Sequence, residues 1–305
     1  MKGLILTPAC RKNMFYNDKF DLLFKMISEE FGFDILYTDN IEVPSDVDVI
    51  IAHSVPDKWN VDSLMCLANL DKNVKLIGYL HNLHGDKIVE GNRLKMLDRY
   101  DIILSPAEKT FKEKYSDNID KFVFFPNFFA PSERYEKFEL NESPISKCLF
   151  TGAIDSAYPL RSFIFDNADR SKVSIMPHPG YKNSSTEIQN DEFYYVGDRY
   201  AEKLHSYFCC LATSSIYNYL LTKYLEIPAV GSLLIADETN DLREAGFIAG
   251  EHYVSITKEN ALETIYECLD DTKKYMDVRR NGMEFVRNNH SIDNRFEQIK
   301  RIING

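Results

Sequence analysis

Lys223 and Glu226 stand three residues apart in "TKYLEIPAVGSLLIADE". On a helix that spacing puts an ammonium and a carboxylate on one face, able to address one ligand together. The ammonium suits an anion such as a diphosphate, and the carboxylate suits a ribose diol. The plainer reading is an exposed ion pair ahead of a helix end. Pro228 ends or kinks the helix by removing a donor, and Ala229 and Gly231 keep bulk away from the turn into "SLLIADE". Gly152 follows "CLFT", where a missing Cβ lets a phosphate approach the backbone, and Arg161 lies nine positions on at the start of a helical pattern. A bare turn and a salt bridge are the alternatives for this second pair. Ser214 and Ser215 precede the Lys223 segment as N-cap candidates, whose neighbouring N–H groups could also meet a phosphate.

Three further stretches carry groups of the right types. "YLHNLHGD" offers His81, His84 and Asp86 at the end of an apolar run. These read either as a metal set with H-x2-H-x-D spacing or as local hydrogen bonding at a strand end, and no other His or Cys cluster completes a metal shell. "IMPHPGY" puts His178 either beside a nucleotide base or in a tight Pro-bounded loop. Gly197 and Tyr200 could flank a base, although aromatic residues at helical spacing are usually core.

The elements that must position these groups form two alternating blocks. "GLILTPA", "DILYTD", "VDVIIAHS", "VKLIGYLH" and "DIILSPA" are short apolar strands separated by amphipathic stretches such as "NDKFDLLFKMISEEFGF". The pattern restarts with "CLFTGAI", "KVSIMP", "CCLATSS" and "GSLLIADE", interleaved with "YPLRSFIFDN", "RYAEKLHSY" and "IYNYLLTKYLEI". Strands of this length alternating with helices predict parallel, doubly wound α/β sheets, in which ligands sit at the carboxyl ends of the strands. The expectation is an α/β chain of two Rossmann-like domains facing a cleft, 1–135 and 146–280, joined by a Pro, Ser, Asn and Glu-rich linker at 131–146. Residues 281–305 are expected to form a closing helix that returns to the first domain.

The 305-residue length suits two domains, and no apolar run is long enough to cross a bilayer. "MKGLILTPACRKN" lacks the apolar core and cleavage site of a secretory signal and reads as a first strand. Six cysteines without C-x-x-C spacing indicate neither zinc knuckle nor disulfide framework, so a reducing, cytoplasmic setting is expected. A net charge of −11 argues against broad attraction to nucleic acid. The basic clusters "CRKN" and "VRRNG" read as solvated surface.

The run "TKYLEIPAVGSLLIADETNDLREAGFIAGEHYVSI" resembles the donor half of GT-B glycosyltransferases, particularly the group related to spore-maturation glycosyltransferases. There a basic residue, an aromatic, Glu, a small residue and Gly recur in this order. "LFTGAIDSAYPLR" and "VRNNHSIDNRFEQI" are similar to that group's first strand of the second domain and its closing helices. The resemblance covers residues 148–300 and implies transfer of a sugar from a nucleotide-diphosphate donor, with retention. It makes Lys223 and Arg161 the cations on the leaving diphosphate, Glu226 the ribose contact, and His81 the first-domain group facing the sugar. In the family a Glu commonly stands eight positions before the ribose Glu and meets the donor sugar; here that position is Asn218. With two cations present, neither metal nor other cofactor is expected. The acceptor is left open among a glycan, a lipid-linked glycan, a protein and a modified nucleobase. A catalytically silent sugar-nucleotide binder and a GT-B epimerase are the rival readings.

Overall fold

A computed structural model describes residues 1–12, 18–53, 61–80, 83, 87–180 and 193–305. His81, His84 and Asp86 fall outside them. The chain divides into two compact units, residues 1–126 with 295–305, and residues 127–294.

The first unit is a six-stranded parallel sheet of β1 (Gly3–Thr7), β2 (Asp34–Tyr37), β3 (Val49–His53), β4 (Lys75–Tyr79), β5 (Ile102–Ser105) and β6 (Phe122–Phe124), in the order β2-β1-β3-β4-β5-β6. Helices α1 (Asp18–Phe31), α2 (Val61–Ala68), α3 (Lys87–Leu97) and α4 (Glu108–Lys114) intervene. Residues β1 and β3 are buried throughout, as strands covered on both faces must be. The chain's last eleven residues belong here: Lys75 Nζ donates to Ile302 O at 2.7 Å, Gln298 Nε2 donates to Phe124 O at 2.8 Å, and Lys300 pairs with Glu30.

The second unit has β7 (Ile145–Phe150), β8 (Val173–Ile175), β9 (Tyr207–Ala212), β10 (Leu233–Asp237) and β11 (Val254–Ile256), all parallel, in the order β8-β7-β9-β10-β11. Its helices are α5 (Ser132–Glu136), α6 (Pro159–Asn167), α7 (Gly197–His205), α8 (Lys223–Ala229), α9 (Asn240–Glu244), α10 (Ala261–Asp270) and α11 (Met276–Asn289), and α12 (Ile292–Asn304) begins in it. Phe150, Phe208, Leu211, Leu233, Ile235, Ile265 and Cys268 form the core between sheet and helices. The six cysteines are free thiols.

The residues expected as a linker, 131–146, are part of this second unit. Arg287 of α11 donates Nη2 to the carbonyls of Tyr135 (3.0 Å) and Phe138 (2.7 Å), and Arg279 donates Nη1 to Asn141 O at 2.8 Å. Arg279 also corrects the reading of "VRRNG" as surface: it is 1% exposed and its Nε donates to Gly231 O, while Arg280 faces solvent. Arg279 and Arg287 thus meet carbonyls at and just beyond the end of α8, where a cation also complements the helix dipole. Close packing makes this reach possible, since a Cβ at Gly282 of α11 would lie 2.4 Å from His252 O.

The start of α8 corrects a second expectation. The helix begins at Lys223, with Thr222 at its N-cap, so Ser214 and Ser215 are not its caps. Both lie in the loop after β9. Ser214 N donates to Asp237 Oδ1 at 2.8 Å and Ser215 Oγ accepts from Tyr217 N at 3.2 Å. Residues 216–222, which share the amphipathic pattern of the helix, are spent in a turn because Ile216 N donates to Ala157 O (2.8 Å) and Asn218 N to Ser215 O (2.9 Å).

Candidate functional site

In the second unit the strand order reverses between β7, whose neighbours are β8 and β9, and the strands that follow. The crevice beyond the carboxyl ends of β7 and β9 is therefore where an open α/β sheet admits a ligand. Thr151 and Gly152 leave β7 there, and Thr213 and Ser214 leave β9.

Arg161, in the first turn of α6, is 2% exposed and aimed into this corner. Its Nη2 donates to Thr213 O and its Nη1 to Ala153 O, each at 2.8 Å, and Nε reaches Thr213 Oγ1 at 3.2 Å. The guanidinium stacks over Tyr158, 3.7 Å from the ring centre. Neither an exposed salt bridge nor a loose side chain describes it: the fork is locked by two strand-end carbonyls.

Lys223, at the first position of α8, sends Nζ to Thr151 O at 2.7 Å. As a residue it is only partly covered, yet its ammonium is desolvated enough for burial to hold its pKa well below the ordinary 10.5. The Arg161 charge lowers it further, and Glu226 opposes the shift. Gly152 completes the corner at φ +102, a conformation that favours glycine. A Cβ built there would lie 2.3 Å from Lys223 Nζ and 2.8 Å from Arg161 Nη1. Three residues from separate segments thus converge on one small volume.

Glu226 is one turn along α8 from Lys223, as the spacing implies, but the two charges do not close on each other: Glu226 Oε1 accepts from Tyr135 Oη at 2.8 Å. The Tyr200 hydroxyl of α7 is close enough to Glu226 and Thr151 for both to act on its pKa, which burial, then Glu226, raises well above 10, so it joins this group rather than the core alone. His178, just past β8, accepts from Gly180 N through Nδ1 at 2.9 Å, the tight loop foreseen in "HPG". Burial, then Lys223 and Arg161, push its pKa down to about 4, so at neutral pH it is uncharged with its proton on Nε2.

Asn218 sits at φ 56, a left-handed conformation that asparagine adopts more readily than most residues. Its Oδ1 is 3.5 Å from Ser214 Oγ. Ser214 Oγ in turn donates to Asp237 Oδ2 at 2.5 Å, and Tyr224 Oη donates to Asp237 Oδ1 at 2.6 Å. The Asp237 carboxylate at the end of β10 therefore ties the 214–218 loop to α8, a role the sequence does not announce. Tyr135, Thr151, Thr213 and Asp237 are the members that residue types and spacing missed. Among the described residues no cluster of three or more His, Cys, Asp or Glu could hold a metal ion, and no helix is long and apolar enough to cross a membrane.

A family model described as Glycosyl transferase-like matches residues 161–301, a span that opens on Arg161 and includes Lys223 and Glu226. No curated protein sequence matches the chain significantly. Solved structures share its fold at low identity. Anabaena HepE, in complex with UDP-glucose, aligns with a TM-score of 0.68 at 12% identity, covering 100% of this chain and 99% of its own. Sucrose-phosphate synthase from Thermosynechococcus elongatus aligns with a TM-score of 0.68 at 12% identity, covering 100% and 98%. An alpha-glucosyltransferase in complex with UDP and a 13-mer DNA aligns with a TM-score of 0.62 at 13% identity, covering 100% of both chains. The fold is the α/β, two-sheet GT-B architecture.

Proposed function

We propose that the chain is a glycosyltransferase that takes a sugar from a nucleotide-diphosphate donor held at the carboxyl ends of β7 and β9. The observation that carries this reading is the convergence of the Lys223 ammonium and the Arg161 guanidinium on Gly152, where the absence of a Cβ lets both basic groups close on the end of β7. The glycosyl transferase-like sequence and structural neighbours bound to UDP or UDP-glucose support the same ligand class. The order Lys223, Tyr224, Glu226, Ala229, Gly231 further aligns it with the spore-maturation group.

In this reading the bond from the sugar's anomeric carbon to the diphosphate breaks, an acceptor oxygen bonds to that carbon, and the acceptor's proton leaves. Negative charge builds on the departing diphosphate, where Lys223 and Arg161 gain strength as it forms. Glu226 receives the ribose hydroxyls. Ser214, Asn218 and neutral His178 border the same volume, and the sugar is transferred with retention. Two fixed cations supply the charge that a metal would otherwise provide, so turnover should survive EDTA.

The test is a thermal-shift and calorimetry screen with UDP, UDP-glucose and other nucleoside diphosphates. A ligand at 100 times its Kd raises stability by about 2.7 kcal/mol. No shift with any of them would contradict the reading. Release of free sugar from the bound donor distinguishes a transferase from a silent binder.

A further inference from the structure

Glu226 is held by a residue that sits more than ninety positions earlier in the chain. Tyr135 Oη donates to Glu226 Oε1 at 2.8 Å, and Tyr135 is only 2% exposed. Its ring packs edge-on against Phe129, with centroids 5.4 Å apart. Its main chain is equally fixed: Arg287 donates Nη2 to Tyr135 O at 3.0 Å and Nε to Ala229 O at 2.9 Å, so one guanidinium ties Tyr135 to the last turn of α8. Eight residues before Tyr135, buried Asn127 donates Nδ2 to Leu220 O at 2.5 Å, in the loop that leads into α8. The segment 127–135 therefore grips α8 ahead of its first turn and within it, while Arg287 holds its end.

That grip has a chemical consequence. Charges three apart on a helix can attract each other. In the structure Lys223 turns instead to Thr151 O while Tyr135 holds Glu226. The phenol on Oε1 restricts the rotation of the Glu226 carboxylate. Burial, with Glu226 adding to it, raises the Tyr135 pKa well above 10, so the phenol stays a donor at working pH.

We propose that Tyr135 is a positioning residue that sets sugar-ring specificity at the nucleotide: it orients Glu226 toward the ribose hydroxyls of a nucleoside diphosphate. The inference rests on the donor-site reading above.

Calorimetric titration of the full chain with UDP, 2′-deoxy-UDP and inorganic pyrophosphate tests it, using the parent, Tyr135→Phe and Glu226→Ala. The parent should prefer UDP to 2′-deoxy-UDP by about tenfold, the scale of one hydrogen bond to a charged group. Tyr135→Phe should lose most of that preference, as Glu226→Ala does, while binding pyrophosphate within about twofold of the parent. Pyrophosphate binding also shows that the variant's site is folded. A Tyr135→Phe variant that keeps the parent's preference overturns the inference and leaves the donor-site reading standing. A variant that weakens all three ligands equally also overturns it, since that is a structural effect only. A parent that binds UDP and 2′-deoxy-UDP alike, with Glu226→Ala unchanged, overturns the donor-site reading and the inference with it.

Discussion

The two units run their first five strands in the same order, second-first-third-fourth-fifth, with the reversal beside the first strand in each. At that reversal the second unit gathers Gly152, Arg161 and Lys223. The corresponding strand ends of the first unit, Thr7 and His53, are fully buried and bonded to each other, Thr7 Oγ1 to His53 Nδ1 at 3.1 Å. The His53 ring lies 4.5 Å from Phe20, 5.0 Å from Phe24 and 5.5 Å from Tyr79, centre to centre. One topology thus occurs twice, and side chains set the two strand ends apart: aromatic rings pack against those of one sheet, while two basic side chains converge on a glycine at those of the other.

Substitutions at the two strand ends should therefore behave differently. Arg161→Ala should have the largest effect. It removes a buried cation and strands the carbonyls of Ala153 and Thr213, costing about 3 kcal/mol or more in a denaturant melt and abolishing UDP binding. Lys223→Ala should cut donor turnover roughly ten- to a hundredfold, or about 1.5 to 3 kcal/mol, with a smaller loss of ground-state affinity, read by single-turnover kinetics beside calorimetry. Equal losses in rate and affinity would mean that Lys223 binds ground and transition states alike. In the first unit, Thr7→Val should cost about 1 kcal/mol of stability and leave UDP affinity unchanged. A loss of UDP affinity there would erase the contrast between the units.

A smaller effect concerns pH. His178 has its pKa depressed to about 4 in the folded chain, against 6.5 when unfolded, so the unfolded chain binds more protons between those values. The stability this represents is present above pH 6.5 and is lost as pH falls toward 4. Parent and His178→Gln melts should diverge over that window, the variant losing less. Parallel curves would show that burial beside Lys223 and Arg161 does not perturb the imidazole.

The contrast also marks what a linear reading can reach. The strands were legible because apolar runs of fixed length alternate with helices, and Gly152, Arg161, Lys223 and Glu226, which the fold places at or beside one strand end, could be picked out by residue type and spacing. Ser214 and Ser215 were misread as caps because residues 216–222 continue the helical pattern. Long-range bonds, from Ile216 N to Ala157 O and from Asn127 to Leu220 O, help to keep those residues out of α8. Tyr135 was invisible for the same reason, standing in a stretch whose composition reads as a linker. Arg279 looked solvated beside Arg280, and only the packing of α11 on the end of α8 buries one of the two.

The most direct test of the donor site is calorimetric titration of UDP into the parent and into Gly152→Val. The substitution forces a branched side chain into a left-handed backbone and onto the Lys223 and Arg161 charges, without removing either cation. The account predicts saturable UDP binding by the parent and a loss of about a hundredfold or more in the variant, some 2.7 kcal/mol. A parent that does not bind UDP, or a variant that binds it as well as the parent, would contradict it.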